Sequence, residues 1–180
     1  MSEKHRLEGG KIRKLEIEKK YLLKYFPEDM QKGQKKELEQ GYLCTTPVVR
    51  IRKSNEDYIL TYKSKRDVVS KDNLCINQEI EMPLTREGYE HLREKADGRL
   101  ITKTRYLVPL DGGKTAEVDV FHEFFHGLVF AEVEFASVEE ADRFTPPDWF
   151  GEDVSGDFRY SNSYLSTCET PFWEGKNVSE

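Results

Sequence analysis

The chain has 180 residues, 34 acidic and 28 basic, for a net charge of −6, and 37% of it is hydrophobic. That length suits one soluble domain able to bury roughly 70% of the surface its unfolded chain exposes. Charged residues reach 34%, above a usual share of about 25%, but the apolar residues fall in short ordered runs that argue against disorder, and the acidic balance argues against a general nucleic-acid binder while leaving room for a local basic lining.

Residues 1–14 are polar and basic with no apolar run, so neither an export signal nor a membrane helix of roughly 18 apolar residues is expected. Period-2 alternation predicts strands over residues 13–23, 39–44, 48–53, 58–65, 73–82, 100–109, 115–121 and 128–135. Turn residues such as Ser54-Asn55-Glu56-Asp57 and Asp111-Gly112-Gly113 join neighbours, so hairpins dominate. Helices are predicted over residues 27–38, over 86–95 behind the N-cap Thr85, and over 138–144 behind the box Ser137-Val138-Glu139-Glu140. From Thr145 onward the prolines and glycines indicate loop, with a last short helix over 159–165 and a loose tail over 174–180. A single domain over 1–180 follows, with its core over about 15–165. Cys44, Cys75 and Cys168 form neither a close pair nor an even framework, which suits a reducing, cytoplasmic setting.

The informative feature is what each strand places on one side. In a strand, residues i and i+2 share a face. Glu16, Glu18 and Lys20 therefore oppose Leu15 and Ile17, Arg50 and Arg52 oppose Val49 and Ile51, and Lys63 and Lys65 lie with Thr61. Glu79 and Glu81 share a face, as do Lys103 with Arg105, Glu117 with Asp119, and Glu132 with Glu134. One such strand is an ordinary solvated sheet face. The recurrence, with charges of mainly one sign on each strand, points instead to an enclosed guest carrying both signs, because like charges on one strand repel. A metal-bound polyphosphate is such a guest.

Eight strands suffice to close a barrel around a small ligand and remove the sheet edges. The expected fold is α+β, mainly β: a closed eight-stranded antiparallel barrel with a charged lumen and short helices packed outside. A charged interior also suits an outer-membrane barrel, but the helices and long charged loops favour protein segments on the outside. His122-Glu123-Phe124-Phe125-His126 spells HExxH, and Glu139 or Glu140 offers a distant third zinc ligand. Zinc peptidase chemistry needs that motif on a helix. Gly127 and the flanking alternation predict a hairpin loop instead. Trp149 and Trp173 are expected to pack the tail on the barrel, and Tyr42, Tyr58, Tyr62 and Tyr106 to fill gaps between barrel and helices.

Glu16-Ile17-Glu18-Lys19-Lys20 resembles the ExExK signature of the CYTH superfamily, the triphosphate tunnel metalloenzymes. Gln40-Gly41-Tyr42-Leu43, Val49-Arg50-Ile51-Arg52, Leu60-Thr61-Tyr62-Lys63 and residues 101–106 are similar to family strands in the expected order, as are Glu117-Val118-Asp119, residues 127–135 and Arg159-Tyr160-Ser161-Asn162. The resemblance covers about residues 15–165. It implies a tunnel that hydrolyses triphosphates with Mg2+ or Mn2+, expected to be two ions, and no organic cofactor. Inorganic tripolyphosphate is the expected substrate, with some nucleoside triphosphatase activity. A class IV adenylate cyclase and a noncatalytic polyphosphate-binding module are the alternatives.

By the same resemblance, Glu16, Glu18, Glu132 and Glu134 hold metal, with Glu79, Glu81, Glu117 and Asp119 as further ligands or their supports. Lys20, Arg50, Arg52, Lys63, Lys103 and Arg105 hold phosphate, Lys65 less centrally, and Arg159 belongs to a segment capping one tunnel mouth. Lys20, Glu16 and Glu18 form the catalytic set. The expected partner is a small-molecule triphosphate, with neither membrane nor general nucleic-acid binding, on a monomer or homodimer.

Overall fold

The computed structural model describes residues 11–28, 30–65 and 75–175, and their side chains except those of 11–15, 64, 65 and 75–78. The predicted strands form β1 (Lys11–Leu23), β2 (Gln34–Thr45), β3 (Val48–Ser54), β4 (Asp57–Lys65), β5 (Cys75–Pro83), β6 (Asp97–Pro109), β7 (Thr115–Phe121) and β8 (Val129–Phe135). They run in the order β5-β4-β3-β2-β6-β7-β8-β1, and β5 pairs again with β1. Each strand thus has two antiparallel neighbours, and the sheet curls into a tunnel. Chain-adjacent strands pair because their turns permit it: Asn55, at φ 53°, supplies the left-handed residue between β3 and β4.

Two elements differ from expectation. The helix expected over 27–38 is a 3-10 turn at Met30–Lys32, after which β2 already begins. Pairing with β6, from Gln34 opposite Leu107 onward, overrides the helix propensity of the Lys, Gln, Glu and Leu in that stretch. Gly33 permits the approach, since a Cβ there would lie 2.9 Å from the Leu107 carbonyl oxygen. The second is a short ninth strand, β9 (Phe150–Asp153), which pairs with the end of β1 at Tyr21 and Leu23, beyond the stretch of β1 that β5 covers.

The helices α1 (Arg86–Arg93) and α2 (Val138–Arg143) start at their expected caps. Thr85 Oγ1 accepts from the Gly88 amide at 3.0 Å, and Ser137 Oγ from the Glu140 amide at 3.2 Å. The last expected helix divides into a 3-10 turn at Phe158–Tyr160 and α3 (Asn162–Leu165). Among the described residues no helix is long and apolar enough to cross a membrane.

The apolar residues divide between two cores. One lies outside the barrel wall, where Ile17, Val118, Ala131, Val133 and Phe135 pack with Ala141 of α2, Trp149 and Phe150. The other closes one end of the tunnel. There Leu22, Tyr42, Ile101, Phe121 and Phe130 meet Phe125, Tyr160, Leu165 and Trp173. Burying each such large side chain stabilises by about 1.5–3 kcal/mol. The carboxy-terminal segment is seated by backbone contact. The Arg99 amide donates to the Ser166 oxygen at 2.7 Å, and Gly98, at φ +69°, is needed there because a Cβ would fall 2.2 Å from that same oxygen.

Candidate active site

Cross-strand register brings the charged faces together as the alternation requires. Glu18 lies opposite Glu134, Lys20 opposite Glu132, and Leu22 opposite Phe130, so β1 and β8 run from carboxylates to the apolar floor. Across β7 the face continues with Glu117 beside Glu132. On the other wall Arg50 lies opposite Thr61, Thr61 opposite Glu81, and Lys63 opposite Glu79. Glu16, Lys20, Arg50, Lys103, Asp119 and Glu132 are buried, whereas Glu134 is exposed. Lys65 pairs in register with Asn77, but its side chain lies outside the described set.

The bases and acids that the sequence segregates by strand meet as ion pairs across strands. Lys20 Nζ sits 2.9 Å from Glu132 Oε1, donates to the Tyr160 carbonyl at 2.8 Å and lies 4.5 Å from the centre of the Phe130 ring. Lys103 Nζ lies 2.5 Å from Asp119 Oδ2 and 3.4 Å from Asn162 Oδ1. Arg105 forks Asp119 through Nε and Nη2 at 2.6 and 2.7 Å, reaches Glu132 at 2.9 Å and bonds Glu117. Lys63 Nζ lies 2.6 Å from Glu16 and 3.2 Å from Glu79. The lining therefore neutralises itself to a large degree, rather than holding separate fields of each sign.

The titration of these groups records how close the charges are. Burial, with Glu132 and Glu16 nearby, pushes the Glu18 carboxyl up to about 8. Burial works the same way on Glu132, but Lys20, Arg105 and Lys103 outweigh it and hold that carboxyl far below its ordinary range. Burial brings Lys103 down to about 8 against the pull of Asp119. Burial also opposes the charge on Lys63, yet Glu16 and Glu79 raise it above the usual lysine value.

A divalent cation fits the chemistry of this lining in one respect and not in another. The donors are carboxylate oxygens, which hard cations select, and Glu18 is a carboxyl kept from ionising by burial and by its like-charged neighbours, a state that a cation reverses. Among the described residues, however, no three acidic, histidine or cysteine side chains are gathered as a ligand cluster.

Arg159 does not join the lining. It pairs with Asp157 at 2.5 Å and lies 5.3 Å from the Phe172 ring, with 41% of its side chain exposed, on the outer side of the capping segment. That segment reaches the lining through the Tyr160 carbonyl and Asn162. HExxH is not helical. Glu123 has φ 54°, residues Glu123–Phe125 form a 3-10 turn, and His122 Nε2 lies 2.8 Å from Thr104 Oγ1, so the two histidines do not share a helix face.

The tyrosine expectations divide. Tyr58 stacks on Tyr89 of α1 at 5.2 Å and Tyr106 packs on the outer core. Tyr62 is 37% exposed, and Tyr42 lies in the core that closes the tunnel end, in the same cluster as Leu165 of α3. Gln40 Nε2 donates to Tyr42 Oη at 3.3 Å, and burial raises that phenol against the pull of Arg50 and Lys63. In register Gln40 lies opposite Arg52 and Tyr42 opposite Arg50, a shared face that the i, i+2 rule makes available.

Comparison with known proteins places this tunnel. An inorganic triphosphatase of Nitrosomonas europaea is 37% identical over 155 residues, covering 84% of this chain and 96% of that protein. An inorganic triphosphatase of Acetivibrio thermocellus is 36% identical over 156 residues, covering 83% of this chain and 92% of that one. A crystal structure of an inorganic triphosphatase superposes with a TM-score of 0.63 at 36% identity, over 87% of this chain and 96% of the other. Residues 14–153 match the CYTH domain. The chain, with its ExExK strand and its ring of paired charges, belongs to the CYTH domain family.

Proposed function

We propose that this protein hydrolyses triphosphates with the help of a divalent cation, and that inorganic tripolyphosphate is its preferred substrate, with some nucleoside triphosphatase activity. The observation that carries the reading is the convergence of Arg50, Arg52, Lys63, Lys20 and Lys103 with Glu16, Glu18 and Glu132 in one tunnel closed at one end by apolar side chains. Two inorganic triphosphatases also align with this chain over 96% and 92% of their own length. Phosphoryl transfer asks for positioning and charge stabilisation rather than a covalent side chain, and the lining supplies both.

Arginine grips phosphate oxygens through its fork and lysine as a point charge. Arg50, Arg52 and Lys63 hold the chain of phosphates from one wall, and Lys20 and Lys103 neutralise it near the floor. Glu16, Glu18, Glu132 and Glu134 are the residues that would hold Mg2+ or Mn2+, in one or two positions. When bound, the cation supplies Lewis-acid polarisation of phosphate oxygens. Lys20 is fixed for its task by Glu132 and the Tyr160 carbonyl together. The protein acts as a monomer or homodimer in the cytoplasm, in keeping with the free Cys44 and Cys168.

The test is phosphate release from tripolyphosphate, ATP, GTP and thiamine triphosphate side by side, with Mg2+ or Mn2+ and with chelator. Metal-dependent release, greatest from tripolyphosphate, is expected. Cyclic AMP as the main product from ATP, or binding with no phosphate released, overturns the reading.

A further inference from the structure

The guanidinium groups of the lining are not held alike. Arg105 is nearly saturated, with four of its five N–H donors engaged: Nε and Nη2 fork Asp119, Nη2 also reaches Glu132 and Nη1 bonds Glu117. Among the described residues Arg50 and Arg52 reach the threonine and carboxylate oxygens through Nη2, and the Tyr42 phenol also lies against Arg50. Arg50 Nη2 lies 3.3 Å from Thr61 Oγ1 and 3.5 Å from Glu79 Oε1, and Arg52 Nη2 lies 3.0 Å from Glu81 Oε1. The Nε of both is buried with no hydrogen-bond partner among the described residues. A buried donor left unpaired is costly, and a single contact at 3.5 Å is at the weak limit of a hydrogen bond. These two side chains have capacity that their present partners do not use, whereas the bonds of Arg105 leave at most one N–H over.

The partners themselves come mainly from one strand. Glu79 and Glu81 of β5 between them touch Arg50, Arg52 and Lys63, and the Thr61 hydroxyl lies 3.5 Å from Glu81 Oε1. Glu81 is 40% exposed and its partner Arg52 21% exposed, so this pair lies where solvent and a entering ligand reach it. A polyphosphate presents more charge and more acceptor oxygens than a carboxylate, and satisfies a guanidinium fork through two parallel bonds.

We propose that Glu79 and Glu81 are internal counter-anions of the phosphate grip. They occupy Arg50, Arg52 and Lys63, the substrate displaces them, and so they set affinity by competition rather than by ligating metal. The Lys103–Arg105 side keeps its pairs with Asp119 and Glu117, which hold Lys103 in place beside the phosphates near the floor. This rests on the tunnel being the triphosphate site, and it assigns the two β5 carboxylates a role opposite in sign to a metal ligand: removing a ligand weakens the site, whereas removing a competitor strengthens it.

The experiment compares wild type with Glu81→Gln by calorimetric binding of tripolyphosphate in chelator, followed by KM, kcat and the half-saturating Mg2+ concentration in turnover. Metal-free binding about two- to fivefold tighter is expected, the range that a partly exposed ion pair supports, with a lower KM and an unchanged Mg2+ requirement. Equal or weaker metal-free binding, or a raised Mg2+ requirement, overturns the inference. Glu79→Gln, which releases Arg50 and leaves Lys63 on Glu16, is expected to shift binding in the same direction and serves if Glu81→Gln does not fold. Wild type that binds tripolyphosphate neither with metal nor without it removes the triphosphate reading itself, an outcome distinct from unchanged binding in the variant.

Discussion

At the scale of single residues, Lys20 shows how a lysine is made into a positioned charge. Its ammonium is fixed by Glu132, by a backbone carbonyl from a segment 140 residues away in sequence and by the face of Phe130. Lys20→Ala removes that charge but leaves Glu132 paired with Arg105 at 2.9 Å, so the carboxylate is not stranded and the fold survives. The variant is expected to lose roughly a hundredfold in kcat, the scale of losing one preorganised charge-stabilising group, with a smaller change in KM. Unaltered kcat in a variant that melts as wild type does removes Lys20 from the catalytic set. The place of this residue on the charged face was legible from its spacing of two residues to Glu18 and four to Glu16. Its fixation was not, because the Tyr160 carbonyl belongs to a loop whose path no alternation encodes. For the same reason Asn162 was not foreseen beside Lys103, and Gln40 and Tyr42 were missed although the i, i+2 rule puts them on one strand face.

At the scale of elements, patterns of alternation predicted eight strands and the hairpin pairing of chain neighbours, but not the pairings β1–β8, β1–β5 and β2–β6 that complete the ring, and they failed where the alternation itself is absent. Residues Lys35, Lys36 and Glu37 are all exposed in β2, so this end of the strand carries no buried face to give period 2, and local propensity favours a helix. Only β6, far along the chain, decides the matter. β9 is short and depends on β1 for its existence. Helix α1, by contrast, announces itself through Thr85 and is docked by Tyr89 on Tyr58 and by Arg93 on Glu39, where Nε and Nη2 contact the carboxylate at 2.7 and 3.0 Å. The hydrogen bonds from Arg93, helped by Tyr89, hold Glu39 below its ordinary value of 4.5. A carboxyl depressed on folding contributes stability that is present above its unfolded value and is lost as pH falls through the folded one. Arg93→Ala is therefore expected to destabilise by about 0.5–1 kcal/mol at neutral pH, the range for a solvent-screened pair. The difference from wild type should close in urea titrations run below the depressed value of Glu39. A difference independent of pH assigns the loss to packing of the arginine stem instead.

At the scale of the whole molecule, the barrel solves two problems with one closure: it gives every strand from β1 to β8 two neighbours, and it gathers the charged faces where they offset one another. The sequence, read strand by strand, suggests fields of opposite sign in need of a guest. Ring order instead sets acidic strands beside basic ones, β7 against β6 and β5 against β4, so the lining is largely paired by its own residues. Stabilisation by substrate then comes from mass action and not from relief of repulsion. Tripolyphosphate with Mg2+ at about 100 times the dissociation constant adds about 2.7 kcal/mol, which raises the melting temperature of a domain this size by about 5–10 °C. Phosphate and chloride at matched ionic strength serve as controls, since screening alone weakens the partly exposed pairs at Glu81 and Glu117. A rise specific to tripolyphosphate with metal is expected. A melt that moves no further with tripolyphosphate and Mg2+ than with the matched salts shows that the tunnel does not bind triphosphate.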